Sequence, residues 1–313
     1  MNSTSPKIYG LIGYPVKHSF SPAMHNAAFK HLGINAEYRL FEVKPEELED
    51  FLLRDIVVKD TTGIALSSRD IIGFNVTVPH KVRAREILER ESPFDKEAPN
   101  ILRILQYVEL SGAINTVQRI KNRLEYYNTD ALGFEKSLLK DLGFDTYNKN
   151  VLVIGCGGAG RAVIAGLSRR QNRINKIFIN DISDEAMGSA KRHFSQFEYL
   201  MNVIEFISAE QIPRVIKDCQ LLVNASGVGM KENDSSVVDK DLLHKELSVY
   251  DVVYNRRTQL VKDAKSLGLP AVGGMGMLLY QGVEAFEKWT NKFASIITVN
   301  VMKQALREAV KEL

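Results

Sequence analysis

The chain has 313 residues, 45% of them hydrophobic and 25% charged, with a formal net charge of +3. That is the composition of a globular protein with room for two domains. It excludes a polyanion partner on charge, nucleic acid for want of a basic tract with interleaved aromatics, and a membrane span because no apolar run approaches the ~20 residues required.

Met1 to Tyr9 are polar and lead straight into a strand, so no signal peptide is expected. The stretch KIYGLIG (7–13) reads as a first strand. SPAMHNAAFKHLG follows as a helix, with Ser21 as its cap, Pro22 at its first position and Gly33 at its stop. AEYRLFEV is a second strand and PEELEDFLL a short helix opened by Pro45. In GFNVTVPHK (73–81), Asn75, Thr77 and Pro79 alternate with Val76 and Val78, the period of a half-buried strand that Pro79 ends. KVRAREILERE is again helical, so Lys81 is either a solvated residue opening that helix or a side chain held at a cleft. Two prolines break SPFDKEAPN, and ILRILQYVEL fits helix or strand equally. Strands alternating with helices predict an α/β fold with mostly parallel strands.

A second α/β unit begins near Tyr147. NVLVIG, KIFIND, LLVNAS and SVYDVVY read as its strands, and GAGRAVIAGLSRR and EAMGSAKRHF as helices, the rhythm of a doubly wound nucleotide domain. The remainder, GMLLYQGVEAFEKWT and ASIITVNVMKQALREAVKEL, is helical without strands of its own and is expected to pack back on the other parts.

Gly155, Gly157 and Gly160 stand in G-x-G-x-x-G spacing between an apolar strand and an amphipathic helix. In that context Gly155 allows a tight turn, Gly157 lets a pyrophosphate approach the backbone, and Gly160 lets helix and strand pack closely. With Cys156, Gly158 and Ala159 they form a candidate dinucleotide loop, whose helix N-terminus faces the anion. A plain strand-to-helix turn is the alternative. The next strand ends in Asn180 and Asp181. A carboxylate there accepts hydrogen bonds from a free ribose diol and repels a 2′-phosphate, and no arginine adjoins it, which predicts NAD over NADP, with NADP as a possible second cofactor. The two cysteines, Cys156 and Cys219, fit a reduced, cytoplasmic protein, and the six histidines show no ligand spacing, so no metal is expected.

Polar groups also concentrate in HSFSPAMHN, SGAINT and YNTDALG. Together with GFNVTVPHK, the glycine loop, NASGVGM, YDVVYN and GGMGMLLYQG, these segments resemble the shikimate dehydrogenase family in order and over nearly the whole chain. The resemblance implies two α/β domains: a substrate-binding, catalytic domain of residues 1–130 plus 276–313, and a Rossmann-type nucleotide domain of residues 131–275. It implies that Ser19 and Ser21 hold the substrate carboxylate, aided by the positive end of a helix. Thr77 would contact the same ligand, Asn115 and Asp130 would bind its ring hydroxyls, and Tyr254 and Gln281 would close over it. Val252 and Gly274 would line the nicotinamide side, and Lys81, beside Asp130, would be the acid/base group. A lysine ammonium suits that role, because it can give a proton to the forming alcohol oxygen, take it back in reverse, and stabilise the charge that develops.

Three departures from the family pattern stand out. NDIS replaces an Asn-Arg-Thr run, so Asp181 sits where an arginine would suit NADP. The stretch from Ser92 to Ser111 is long and is expected to decorate the surface. Arg256 and Arg257 follow Asn255 where proline is common, and read as solvated charges. An NAD preference leaves a quinate/shikimate dehydrogenase of catabolic oxidation as the alternative to a biosynthetic shikimate dehydrogenase. Ser21, small where some quinate-selective relatives have threonine, favours shikimate. An NAD-binding sensor without catalysis would need neither Lys81 nor Asp130, and a one-domain scaffold would leave two polar clusters unexplained. A dehydrogenase of another hydroxy acid would share the nucleotide unit alone. The expected partner is a small-molecule substrate, and the expected state a monomer or homodimer.

Overall fold

The computed structural model describes residues 5–93, 101–121, 123–169 and 173–311. They form two compact units, one of Met1–Thr129 with Gln281–Leu313 and one of Asp130–Tyr280.

The first unit runs β1 (Lys7–Gly13), α1 (Ser21–His31), β2 (Ala36–Glu42), α2 (Leu48–Leu53), β3 (Val57–Lys59), β4 (Ala65–Ser67), β5 (Ile71–Val76), α3 (Lys81–Glu91), α4 (Ile101–Ser111), β6 (Thr116–Ile120) and β7 (Arg123–Tyr127). Its five-stranded sheet has the order β2-β1-β5-β6-β7, with β1 parallel to β2 and β5. The sheet is mixed rather than mostly parallel. The β6–β7 pair is antiparallel, as adjacent strands joined without a crossover helix must be, and β6 also runs against β5. The two-stranded β3–β4 pair, too short for a hydrophobic period to reveal, is a further element beyond the expected set.

Burial explains two other differences. β5 lies at the sheet centre, so five of its six residues are buried and the alternation expected of a half-buried strand is absent. The strand also stops at Val76, before Pro79, because the chain turns there: His80 N–H donates to the Thr77 carbonyl at 2.9 Å and α3 begins at once. ILRILQYVEL is helix, and Tyr107, Val108 and Leu110 are buried, Val108 in one core cluster with Ile87 and Leu88. That part of the long stretch is core and not decoration; residues 94–100 lie outside the described residues.

The second unit runs α5 (Thr129–Lys140), β8 (Asn150–Ile154), α6 (Gly158–Leu167), β9 (Lys176–Asn180), α7 (Asp184–Phe194), β10 (Ile204–Phe206), α8 (Ile212–Val215), β11 (Leu221–Asn224), β12 (Ser248–Asp251), α9 (Gln259–Ser266), β13 (Ala271–Val272) and α10 (Met275–Thr290). Six strands, all parallel, take the order β10-β9-β8-β11-β12-β13. This is the doubly wound α/β order, which reverses between β8 and β11, and the carboxyl ends of strands at that reversal open the crevice where such sheets bind ligands. Among the described residues no helix is long and apolar enough to cross a membrane.

The unit boundary falls within α10, and α11 (Ile296–Lys311) packs against α1 in the first unit. The aromatic floor between them holds Trp289, the chain's one tryptophan, whose Nε1–H donates to the Val117 carbonyl at 2.9 Å and whose indole fills the space a Cβ at Gly73 would need. His25 lies in the same floor. Its ring stacks on Tyr38 at 4.4 Å and 11°, is buried, and has no hydrogen-bond partner at either nitrogen.

Burial in this apolar setting pushes the His25 imidazole down to about 3. Because the unfolded chain takes up the proton near pH ~6.5 and the folded chain does not, stability falls as pH drops below that value, by up to about 1.4 kcal/mol per pH unit. Denaturant unfolding of His25→Phe at pH 7 and pH 5 is expected to lose less stability between the two than the unsubstituted chain loses. An equal loss in both removes His25 as the source.

Candidate functional site

In the first unit the carboxyl ends of the parallel strands β1 and β5 lie side by side. Tyr14 N–H donates to the Val78 carbonyl at 3.0 Å, and Thr77 N–H to the Ile12 carbonyl at 2.9 Å. Gly13 has no room for a Cβ, which would press on the Thr77 methyl. Each strand then feeds a helix. Ser21 is the first residue of α1 and not its cap, which is Phe20, and Pro22 is therefore second. The expected capping bond is replaced by one from outside: Ser19 Oγ accepts from Ser21 N–H and donates to Ser21 Oγ, both at 3.2 Å, so the two hydroxyls form a pair at the helix N-terminus. Gly33 does end the helix, at φ +61°. After β5, Thr77 and Lys81 are half-buried, with Lys81 as first residue of α3 and its carbonyl accepting from Ile114 N–H at 3.0 Å.

That bond sets the approach of Asn115, the residue before β6. Asn115 is buried. Its Oδ1 accepts from Thr129 N–H at 2.7 Å, and its Nδ2 donates to Thr129 Oγ1 at 2.9 Å and to Gln281 Oε1 at 3.2 Å. The structure thus joins Asn115 and Gln281, 166 positions apart in the chain, in one buried amide pair. Sequence reasoning missed three participants: Asn75, which reads there only as a strand position and whose Nδ2 donates to the Asn115 carbonyl at 3.1 Å and to Thr116 Oγ1 at 3.0 Å, Thr116 itself, and Thr129, which is overshadowed by Asp130. The available signal was a polar side chain inside an otherwise apolar strand. Asp130, in the first turn of α5, is buried and belongs to the second unit.

The second unit carries the glycine loop at the sheet's reversal. Gly155 adopts φ +100°, its N–H donates to the Asn180 carbonyl at 2.7 Å, and a Cβ there would come within 2.7 Å of the Ala225 backbone. A Cβ on Gly160 would overlap the Gly155 carbonyl oxygen. Gly157 is different: a Cβ there would have no heavy atom within 4 Å. Two of the three glycines are therefore demanded by packing, and the third borders open space at the N-terminus of the ten-residue α6. The half-buried Gly158 and Ala159 open that helix.

Asp181, just past β9, closes the loop. Its Oδ2 accepts from Cys156 N–H at 2.7 Å and its Oδ1 from Ser183 N–H at 2.9 Å. Burial first, and the Asp181 charge second, push the Cys156 thiol up to about 12, so it is not a nucleophile at neutral pH. One arginine does approach this loop. Arg161 on α6 is felt electrostatically at Cys156, but it is buried and its guanidinium donates to Ser189 Oγ on α7 at 2.8 Å.

Val252 and Gly274 meet as neighbours: a Cβ on Gly274 would overlap the Val252 carbonyl, and Gly274 N–H donates to the Val253 carbonyl at 3.0 Å. Tyr254 is half-buried two residues on. This segment is held by Asp251, a fully buried carboxylate that accepts from Thr258 Oγ1 at 2.7 Å, Val253 N–H at 3.0 Å and Asn224 Nδ2 at 3.1 Å. Burial raises it above the usual carboxylate range. Asp251 escapes sequence reasoning because an aspartate ending an apolar strand looks the same whether it is solvated or buried. Of the two arginines after Asn255, Arg257 is exposed and Arg256 half-buried.

Comparison with known proteins identifies the family. Residues 11–117 match the family model of the shikimate dehydrogenase substrate binding domain, and residues 274–307 that of the shikimate 5′-dehydrogenase C-terminal domain. The chain is 37% identical over 307 residues to the shikimate dehydrogenase (NADP(+)) of Methanopyrus kandleri, covering 97% of this chain and 96% of that one. The crystal structure of shikimate dehydrogenase from Aquifex aeolicus superposes with a TM-score of 0.76 at 31% identity, over 98% of this chain and all of that one. That of Listeria monocytogenes shikimate 5-dehydrogenase, in complex with shikimate and NAD, gives 0.74 at 31% identity over 96% of each. The chain belongs to the shikimate dehydrogenase family.

Proposed function

We propose that this chain is an NAD(P)-dependent oxidoreductase that interconverts shikimate and 3-dehydroshikimate. The observation that carries the reading is that the serine pair Ser19 and Ser21 follows β1, and Thr77 and the half-buried Lys81 follow β5, two neighbouring parallel strands whose carboxyl ends are hydrogen-bonded to each other. Family membership gives these groups a substrate of matching chemistry. The serine hydroxyls and the N-terminus of α1 suit a carboxylate, and the amide pair Asn115 and Gln281 suits ring hydroxyls. Tyr254 is assigned to the same ligand.

Lys81 holds the proton that leaves or joins the reacting oxygen, and Asp130 is assigned to the same step. Placing a cation at that oxygen also stabilises the negative charge it develops. The dinucleotide, when bound, supplies the hydride acceptor or donor. Gly155, Cys156, Gly157, Gly158, Ala159 and Gly160 would hold its pyrophosphate, and the open side of Gly157 with the α6 N-terminus fits that group. Asn180 and Asp181 would face the adenosine ribose, and Val252 and Gly274 the nicotinamide. Quinate oxidation is the less favoured reading, since the Methanopyrus relative is named for shikimate and the Listeria structure contains it. The reading places the enzyme in the cytoplasm, as a monomer or homodimer, where two free, buried cysteines stay reduced.

On cofactor choice we favour NAD. The Asp181 carboxylate is pinned at the loop by two main-chain N–H groups, and Arg161 on α6 donates to Ser189 Oγ at 2.8 Å. The Methanopyrus relative is named for NADP(+), while the Listeria structure holds NAD, so the comparison is made on this chain: kcat/KM with shikimate is expected to be higher for NAD than for NADP, and Asp181→Ala to narrow the gap. A clear wild-type preference for NADP overturns the assignment.

Lys81→Ala keeps a good helix former at the start of α3. It is expected to lower kcat by about 100- to 10,000-fold while KM for shikimate changes little. Near-normal turnover excludes Lys81 from the proton transfer.

A further inference from the structure

The turn that carries Lys81 inverts the usual order of burial. Val78 is 61% exposed and Pro79 is exposed, while the polar His80 that follows them is 1% exposed. Apolar side chains ordinarily take the interior of such a turn, so a histidine there needs a polar reason. Its place in the helix is a second sign. His80 is the N-cap of α3, a position that favours Ser, Thr, Asp or Asn, and its side chain makes no capping bond. The ring goes elsewhere: Nε2 lies 2.7 Å from the Val43 carbonyl. A carbonyl only accepts, so Nε2 carries the proton. Burial holds the imidazole below its ordinary range, with the Val43 bond acting the other way, so the ring is neutral at pH ~7.

Val43 is the residue after β2, and its N–H donates to the carbonyl of Gly13, the last residue of β1, at 3.1 Å. In the sheet β1 lies between β2 and β5, and neighbouring strands stand about 4.8 Å apart. The imidazole therefore crosses the carboxyl end of β1 and ties the turn after β5 to the turn after β2. Main-chain bonds hold the same turn from other sides. Thr77 N–H donates to the Ile12 carbonyl at 2.9 Å, and Ile114 N–H to the Lys81 carbonyl at 3.0 Å. Of these ties, the one from His80 is made by a side chain and can be released by substitution.

We infer that His80 is a positioning residue for Lys81: its Nε2–H, bound to the Val43 carbonyl, fixes the first turn of α3 and with it the point from which the Lys81 side chain reaches the reacting oxygen. The inference rests on the shikimate reading and deepens it. Released from Val43, that turn keeps its bonds to β1 and to Ile114 and tilts about them. The cost falls on the chemical step, because a displacement of about 1 Å at a reacting group is worth about 100-fold in rate. Ser19, Ser21 and the glycine loop are mounted on other elements and keep their places.

The test uses three substitutions. His80→Phe keeps a ring and removes the donor. His80→Asn keeps a donor that is too short to reach Val43. His80→Gln carries an amide nitrogen at the reach of Nε2. Each is assayed on shikimate with the dinucleotide that the wild type prefers. Wild-type turnover comes first: its absence overturns the shikimate reading and this inference with it, whereas every failure below leaves that reading standing. Given an active wild type, His80→Phe and His80→Asn are expected to lower kcat by about 10- to 100-fold, with KM for shikimate and for the dinucleotide within about threefold. His80→Gln is expected to hold kcat within about threefold of wild type. A double-mutant cycle gives the readout that a merely structural role would not move. In the Lys81→Ala background, His80→Phe is expected to change kcat by less than about twofold, since the group it positions is gone. A kcat within about twofold of wild type in both His80→Phe and His80→Asn overturns the inference, as does a loss carried by KM. So does the same fold-loss in kcat with and without the Lys81 amine, or a loss that His80→Gln fails to repair. If His80→Phe does not fold, His80→Asn takes its place in the cycle. Should Lys81→Ala leave too little turnover to measure, the split between kcat and KM and the repair by His80→Gln decide the question.

Discussion

The bond from Thr129 N–H to Asn115 Oδ1 is the constraint around which the first unit's polar centre is arranged. It is buried, so neither group has water to fall back on, and leaving either unpaired would cost about 1–3 kcal/mol. Satisfying it fixes where the chain leaves β7 for α5 relative to where it enters β6, and it orients the carboxamide of Asn115. The order of strands in the sheet supplies the rest. β5 is central, so Asn75 is flanked by neighbours on both sides and can only be tolerated with every hydrogen bond made.

The second unit solves a different problem with simpler means. A parallel sheet must bring each strand's carboxyl end back through a turn and a helix, and at β8 that turn is pressed against the Ala225–Ser226 backbone that follows β11. Gly155 and Gly160 answer the crowding, and Gly157 stays clear of it. Asp181 and Asp251 then act as anchors at the carboxyl ends of β9 and β12, each accepting from main-chain N–H groups of the loop it holds. Asp251 is the more deeply buried of the two.

What could be read from the sequence follows this division. The doubly wound unit was legible because its strands are buried on both faces and short turns separate them, so apolar runs and glycines mark β8, α6, β9 and β11 directly. In the first unit the long helices were legible by their ends, and the resemblance to a family supplied the names of Ser19, Ser21, Lys81 and Asn115. Strands of two or three residues, β3, β4, β10 and β13, are too short for a period to register, and β6 and β7, with only two buried residues each, carry no apolar run, so the mixed sheet was missed with them. Asn75, Thr116, Thr129 and Asp251 were illegible for another reason. Their partners lie up to 41 positions away, and only the folded chain brings a lone polar residue to them.

Trp289 gives the molecule a property of its own. It is the single indole in 313 residues, it is buried in the first unit, and its ring is clamped between Gly73 and the aromatic floor below α1. Fluorescence excited selectively at the red edge of the protein spectrum therefore reports on that unit's interior and is silent about the other. Set beside circular dichroism, which sums over both, it separates the melting of the two halves of the chain without any label being introduced.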